Sequence, residues 1–393
     1  MRKIDEATAL AAIWGGAVLG GGGGGDPRAG WAMARAALLS GEVMLATVDE
    51  IDPAKTVVTV AMVGSPKAGG MGPEPPHYLD AVRFLARAGN VAPEVLNSNE
   101  TGGFAVVNGW YQAACLGIPV LDAPCNGRAH PTALMGAMGL HRVEGYVSKQ
   151  ACKGKNLLAY AEGSIQEASS LIRSAAAAEG LVAVARNPVS CGYVREHGAP
   201  GAISMAIELG ITMAREVRDA LGIEPLEPRF VGGLPEDLGT GASRRCQPGL
   251  VAAEAVARSL GGRLLPPGTV TGVELNTEGG FDRGWVVVEE ADSGNGYRVK
   301  IAFVNEYLAA TDAAGALLAV YPDLIVLFDV GTGWPVSSAD LCRGRTVVPL
   351  FCPARNILLG AGAVDKELYE PLLRDLGVPV PGATQDGPGS AQE

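Results

Sequence analysis

The sequence predicts a two-domain α/β protein: an N-terminal α/β domain with a parallel sheet over residues 1–160, and a C-terminal α+β domain over 161–377. Three observations carry that reading. A chain of 393 residues is long enough for two cores and too long for one ordinary core. Its first half alternates short β-branched runs with helical spacing, the rhythm of parallel α/β structure. After residue 262 the pattern changes to closely spaced strands, so residues 263–350 are expected to form a β-rich subdomain.

The elements follow in order. Six consecutive glycines at 20–25 run into Asp26-Pro27. Pro27 suits a first helical position and Asp26 an N-cap, so the alanine-rich Pro27–Ser40 segment is expected to be a helix stopped by Gly41. A side-chain-free loop on a helix start gathers backbone N–H groups, which favours an anion or a developing oxyanion. Gly22, Gly23, Gly24, Gly25 and Asp26 are therefore candidate substrate-binding residues. Residues 55–63 read as a buried strand feeding Gly64-Ser65-Pro66, and residues 78–88 behind it have helical spacing. Trp110–Leu116 is expected to be a helix stopped by Gly117, then residues 118–121 a strand that delivers a polar loop at 122–131.

Ser164 and Glu167 form a capping box for a helix over 164–179, closed by Gly180 and followed by a strand at 181–185. Ala202–Leu221 and Pro248–Leu260 are expected helices closed by Gly222 and Gly261, with a proline- and glycine-rich loop at 223–247 between them. Strands are expected at 269–275, 284–290, 297–304 and 324–329, with Gly294-Asn295-Gly296 as a hairpin turn. Residues 378–393 have the composition of a disordered tail, and no internal repeat is found.

Composition narrows the function classes. Apolar residues at 48% and charged residues at 19% make a globular balance. A net charge of −11 without a Lys/Arg-rich run argues against nucleic acid as partner. Seven cysteines, an odd number with no C-x-x-C pair, suggest neither a disulfide framework nor a zinc ribbon, and a reducing cytoplasm fits best. Arg2-Lys3 ahead of residues 7–19 imitates a signal peptide, but Asp5 and Glu6 intervene and the apolar part dissolves into glycine, so this is read as mature structure. No other stretch is apolar for about 18 residues, so no membrane span is expected. The partner is a small-molecule substrate, and self-association is left open.

Candidate chemistry concentrates between residues 100 and 131. Glu100, Asp122, Cys125, Arg128 and His130 are candidate catalytic residues, with Asn108 and Asn126 as substrate-binding ones. Asp122 suits a general base or its orienter, and Arg128 suits a carboxylate or developing negative charge. Cys125 and His130 suggest a nucleophile pair, or two ligands of one zinc-like ion with a third from Asp122, His77, His141 or His197. The alternative for Cys125 is inert packing, and the cofactor is either absent or that single ion. Ser204 and Glu208, one helical turn apart, either border a cleft or cap and solvate their helix.

Taken together, these segments resemble the S-methyl thiohydantoin desulfurase family. The resemblance covers most of the chain: GGGGGGDP up to Pro27, Glu100 with Gly102-Gly103, and Asp122 with Gly127-Arg128-Ala129 and Pro131. It continues through residues 201–210, Gly279-Gly280-Phe281 with Arg283-Gly284, Asn305-Glu306, Pro322-Asp323-Leu324-Ile325 and Thr332-Gly333. It implies a two-part protein that removes sulfur hydrolytically from a five-membered thiohydantoin-type ring, leaving a hydantoin. Asp122, Arg128, the glycine-loop amides and Glu100 are the groups it offers for that chemistry. The family loop carries two further acids and a Phe where this chain has Pro124, Thr132 and His130, and a glycine where it has Cys125. The competing readings are a biosynthetic tailoring enzyme that uses Cys125 covalently and a non-catalytic ligand-binding or scaffold homologue.

Overall fold

The computed structural model describes residues 1–64, 72–222, 247–290 and 296–380. Two sheets organise them. The first is built from β1 (Arg2–Lys3), β2 (Met44–Ala46), β3 (Thr56–Gly64), β4 (Val95–Ser98), β5 (Val120–Leu121), β6 (Ser148–Lys153), β7 (Leu158–Gly163) and β8 (Leu181–Ser190), in the order β1-β2-β5-β4-β3-β8-β6-β7. The neighbours β2, β5, β4 and β3 are parallel, which is the parallel sheet expected from the sequence. Antiparallel β8, β6 and β7 extend it on one side and antiparallel β1 closes the other. Because β8 sits between β3 and β6, this sheet reaches past the division expected at residue 160.

The helices are α1 (Glu6–Leu19), α2 (Pro27–Ser40), α3 (Pro75–Ala88), α4 (Trp110–Leu116), α5 (Ile165–Glu179), α6 (Cys191–His197), α7 (Ala202–Leu221), α8 (Pro248–Leu260) and α9 (Lys366–Asp375). The apolar run near the N-terminus becomes α1, buried from Ala11 to Leu19 because it is hydrophobic nearly all round. It packs on α7 through small residues. A Cβ on Gly15 would fall 1.8 Å from the Ala206 carbonyl oxygen, and one on Gly210 would fall 1.9 Å from that of Ala11. No helix among the described residues is long and apolar enough to cross a membrane.

The second sheet is antiparallel throughout. It contains β9 (Arg263–Leu264), β10 (Gly268–Glu278), β11 (Phe281–Glu289), β12 (Arg298–Val304), β13 (Glu306–Asp312), β14 (Leu317–Val320), β15 (Leu324–Asp329) and β16 (Thr346–Cys352). Its order is β14-β13-β12-β11-β10-β16-β15, with β9 on β16, and it curls around a core that includes Ile301, Phe303, Tyr307 and Leu327. The β-rich stretch expected after residue 262 is this sheet. The hairpins β6–β7 and β13–β14 have no counterpart among the sequence-based expectations. Of the expected loops and turns, Ser65-Pro66, residues 223–246, most of the 294–296 turn and the tail beyond 380 lie outside the described residues.

Candidate functional site

A cavity of about 380 Å³ opens where the two sheets meet. Among its lining residues are Gly22 to Asp26, Glu100, Asn108, His130, Arg186 and Glu306. Glu100 follows the C-terminal end of β4, the end of a parallel strand at which open α/β sheets bind ligands. Ser98 Oγ folds that turn, lying 2.8 Å from the Glu100 carbonyl oxygen and 2.5 Å from that of Ala105.

The glycine loop owes its composition to close approach as well as backbone conformation. Gly21, Gly22, Gly24 and Gly25 adopt positive φ, which other residues rarely tolerate. A Cβ on Gly22 would strike the Tyr307 ring at 2.6 Å, and one on Gly23 would lie 2.2 Å from Glu306 Oε1. The loop ties to both sheets through its carbonyls: Gly24 accepts from the Phe104 and Ala105 N–H groups, Gly21 from Tyr307, and Gly22 from Ser338. Some of its amides are spent locally. Gly21 and Gly23 donate within the turn, to Val18 and Gly20, and the group that the Gly24 amide meets is the carboxyl of Glu306. The start of α2 is likewise filled from within, because Asp26 accepts from the Arg28 N–H at 2.8 Å and pairs with the Arg28 guanidinium. Two amides of the expected anion cradle, those of Gly24 and Arg28, are thus already met by the chain's own Glu306 and Asp26.

Glu306 is 3% exposed and enters from the second sheet, immediately after Asn305, whose φ of 57° makes a tight turn between β12 and β13. Its Oε2 finds no hydrogen-bond partner among the described residues. Burial, reinforced by the Glu100 carboxylate nearby, pushes Glu306 well above the usual carboxylate range. Burial also raises Glu100, to about 7, against the pull of the His130 backbone N–H and the charges of Arg186 and Arg128. Two carboxyl groups in one cavity, both raised by burial and Glu306 further by its neighbour's charge, are able to divide acid and base roles.

His130 lines the same cavity with a buried ring. Burial, with the charges of Arg186 and Arg128 acting in the same direction, lowers it to about 3, so the imidazole is neutral at ordinary pH. Its Nε2 is 3.0 Å from Asn99 Nδ2, and its Nδ1 is 3.2 Å from Glu100 Oε2. Asn99 in turn accepts at Oδ1 from Arg186 at 2.5 Å.

Four of the sequence candidates take other places. Asp122 is not a base in the cleft: its Oδ1 accepts from the backbone N–H groups of Ile203 at 2.9 Å and Ser204 at 3.1 Å, capping α7 across the fold, and its Oδ2 accepts from the Ser204 hydroxyl. Ser204 is thereby a capping partner, while Glu208 is exposed. Arg128, fully buried, donates to the carbonyls of Pro322 at 3.0 Å, Asp323 at 2.5 Å and Tyr307 at 3.2 Å, and stacks over the Tyr321 ring at 4.4 Å. It fastens the 122–131 loop to the second sheet and does not line the cavity. Cys125 is 1% exposed, with its sulfur 3.3 Å from Thr59 Oγ1 and 3.6 Å from Asn97 Nδ2. Burial pushes that thiol up, away from the thiolate a nucleophile needs, so the covalent reading of Cys125 loses its basis. Asn126 is buried beside His130 and outside the cavity lining.

The proposed metal set separates for the same reason: Asp122, Cys125 and His130 turn toward three different partners. Of the other histidines, His77 closes the first turn of α3 against Glu74, His141 lies 3.6 Å from Asp365, and His197 packs on Tyr193. Among the described residues no group of three or more His, Cys, Asp or Glu is gathered for a metal. The six cysteines among them are all free. Glu306, Arg186 and Asn99 line the cleft without having been marked as candidates by the sequence. The sequence signal for Glu306 was its place in Asn305-Glu306, whereas Arg186 sits inside a strand with nothing local to distinguish it.

Residues 8–157 match the N-terminal domain, and residues 164–365 the C-terminal domain, of the S-Me-THD-like family. The chain belongs to that family. A crystal structure of a protein from Chromobacterium violaceum shares the fold, with a TM-score of 0.67 at 21% identity, covering 96% of this chain and 97% of that one. No curated protein matches the sequence.

Proposed function

We propose that this protein is an enzyme that hydrolyses the C–S bond of an S-alkyl thiohydantoin-type ring, releasing a thiol and leaving a hydantoin. Glu100 acts as the base and Glu306 as the acid. Water adds to the amidine-like ring carbon as Glu100 takes one of its protons and Glu306 gives one to the ring nitrogen. The tetrahedral carbon then expels the sulfur, which takes the proton from Glu100, while Glu306 recovers its own from the hydroxyl that becomes the carbonyl. The sum is one water consumed, one carbonyl and one thiol formed.

One observation carries the reading: two carboxyl groups from different sheets meet in one cavity, and burial raises both of them. Family membership supports the ring chemistry. The experiment is incubation with S-methyl thiohydantoin in ¹⁸O-labelled water. Thiol release matched by one ¹⁸O in the hydantoin is the expected result, lost in Glu306→Gln. Ligand returned unchanged by folded protein overturns the reading and leaves a binding protein.

A further inference from the structure

Two arginines line the cavity without a counter-ion: Arg173 reaches it from α5 and Arg186 from β8. A third, Arg28, is answered by Asp26 at 2.9 Å, whereas neither Arg173 nor Arg186 has a carboxylate within ion-pairing distance among the described residues. Arg186 is 2% exposed, yet of its three guanidinium nitrogens only Nη2 has a partner there, Asn99 Oδ1 at 2.5 Å, and Nε is buried with none. Arg173 is half-buried. It stacks over the Phe281 ring at 4.1 Å and makes one long polar contact, 3.5 Å to the Gly280 carbonyl.

Two guanidinium groups left short of acceptors in one cavity are costly to the fold. Burial pulls Arg173 down to about 10, and the charge of Arg186 adds to the fall, so each cation lies within the other's field. Burial lowers Arg186 as well. Both still carry their charge at neutral pH. The cavity's raised acids give them little relief, since burial drives Glu100 and Glu306 toward their neutral forms. A carboxylate brought in by a ligand supplies what is missing, because the planar guanidinium fork matches its two oxygens. The cavity, at about 380 Å³, is of the size that takes a small ring with a substituent.

We propose that Arg173 and Arg186 together bind a carboxylate carried by the substrate, so that the preferred thiohydantoin has a carboxyalkyl arm on its saturated ring carbon. The identity of the ring rests on the function proposed above, and the anion site rests on the two arginines. With the arm against Arg173 and Arg186, the amidine-like carbon is left to Glu100 and Glu306.

The test is calorimetric binding, to the whole protein, of hydantoins whose arm is carboxymethyl or carboxyethyl, each compared with its carboxamide, which keeps the shape and removes the charge. The acid of at least one arm length is expected to bind about 10–100-fold tighter than its amide. Arg173→Met should reduce that ratio by about fivefold or more, and Arg173→Lys, which keeps the charge and loses the fork, should fall between. Arg186→Gln is expected to reduce it likewise. A residue that merely braces α5 against the β10–β11 turn would weaken acid and amide alike, so an unchanged ratio in either folded variant overturns the shared site. Equal binding of acid and amide by the wild type overturns it too, as does binding of neither. The functional reading fails separately: an acid preference without turnover of the matching S-methyl thiohydantoin leaves the anion site standing and removes the hydrolase, whereas turnover without an acid preference does the reverse.

Discussion

The 122–131 loop and the Glu100–Glu306 cleft lie side by side, and both bury charged groups, yet they use that burial in opposite ways. In the loop every charge is consumed. Arg128 is shared among backbone carbonyls of the second sheet, and Asp122 is spent on the first amides of α7. In the cleft the charges are left partly unanswered: Glu306 Oε2 and Arg186 Nε have no partner among the described residues, and both carboxyl groups are raised. A buried ion with its hydrogen bonds filled stabilises the fold around it, whereas one left short is held ready for a ligand or a proton.

The sharpest way to break this comparison is to neutralise one residue on each side. Glu306→Gln is expected to lower kcat/KM by about 10²–10⁴, the usual weight of a general acid, while unfolding free energy stays level or rises because a desolvated carboxyl is gone. Full activity in that variant would move the chemistry out of the cleft. Glu100→Gln adds a pH signature. With the Glu100 pKa raised to about 7 in the fold, its stabilising contribution is fully present below the unfolded-state value and is lost as pH rises through 7. Thermal unfolding of Glu100→Gln should therefore fall less between about pH 5 and 8 than that of the wild type.

Arg128→Met should cost on the order of 3–5 kcal/mol in urea unfolding, because several buried carbonyls lose a charged donor at once. A stable but inactive Arg128→Met would return Arg128 to the catalytic list. Asp122→Ala removes a cap from α7 and is expected to cost about 1–2 kcal/mol with kcat/KM unchanged in the folded fraction. At the small end stands Cys125→Ser, with kcat/KM within about twofold of wild type, and native Cys125 that resists alkylation until the protein unfolds. Rapid modification of Cys125 in the folded state, with loss of activity, would revive the covalent alternative.

How far the sequence reaches depends on whether a feature is local. The Asp26-Pro27 start of α2, the Ser164–Glu167 cap of α5, the glycine stops after α4, α7 and α8, and the strand Leu324–Asp329 were legible because capping and turn chemistry act within a few residues. The glycine loop was legible as a ligand-facing turn because it lacks side chains and runs into a helix start, and Glu100 stood out beside Gly102-Gly103, whereas the strand Val95–Ser98 that carries it to the cleft was not among the expected elements. Only the tertiary structure decided which charges were free. Asp122, 81 and 82 residues before its partners in α7, and Arg128, 194 before Pro322, look like catalytic groups until the backbone groups that satisfy them come into view. Glu306 gained its role the same way, since its raised pKa comes from burial against a glycine loop far away in the chain. Sequence sets which groups a chain carries and where its local structure begins and ends. Desolvation and long-range hydrogen bonding, which only the packed fold creates, determine which of those groups are left able to react.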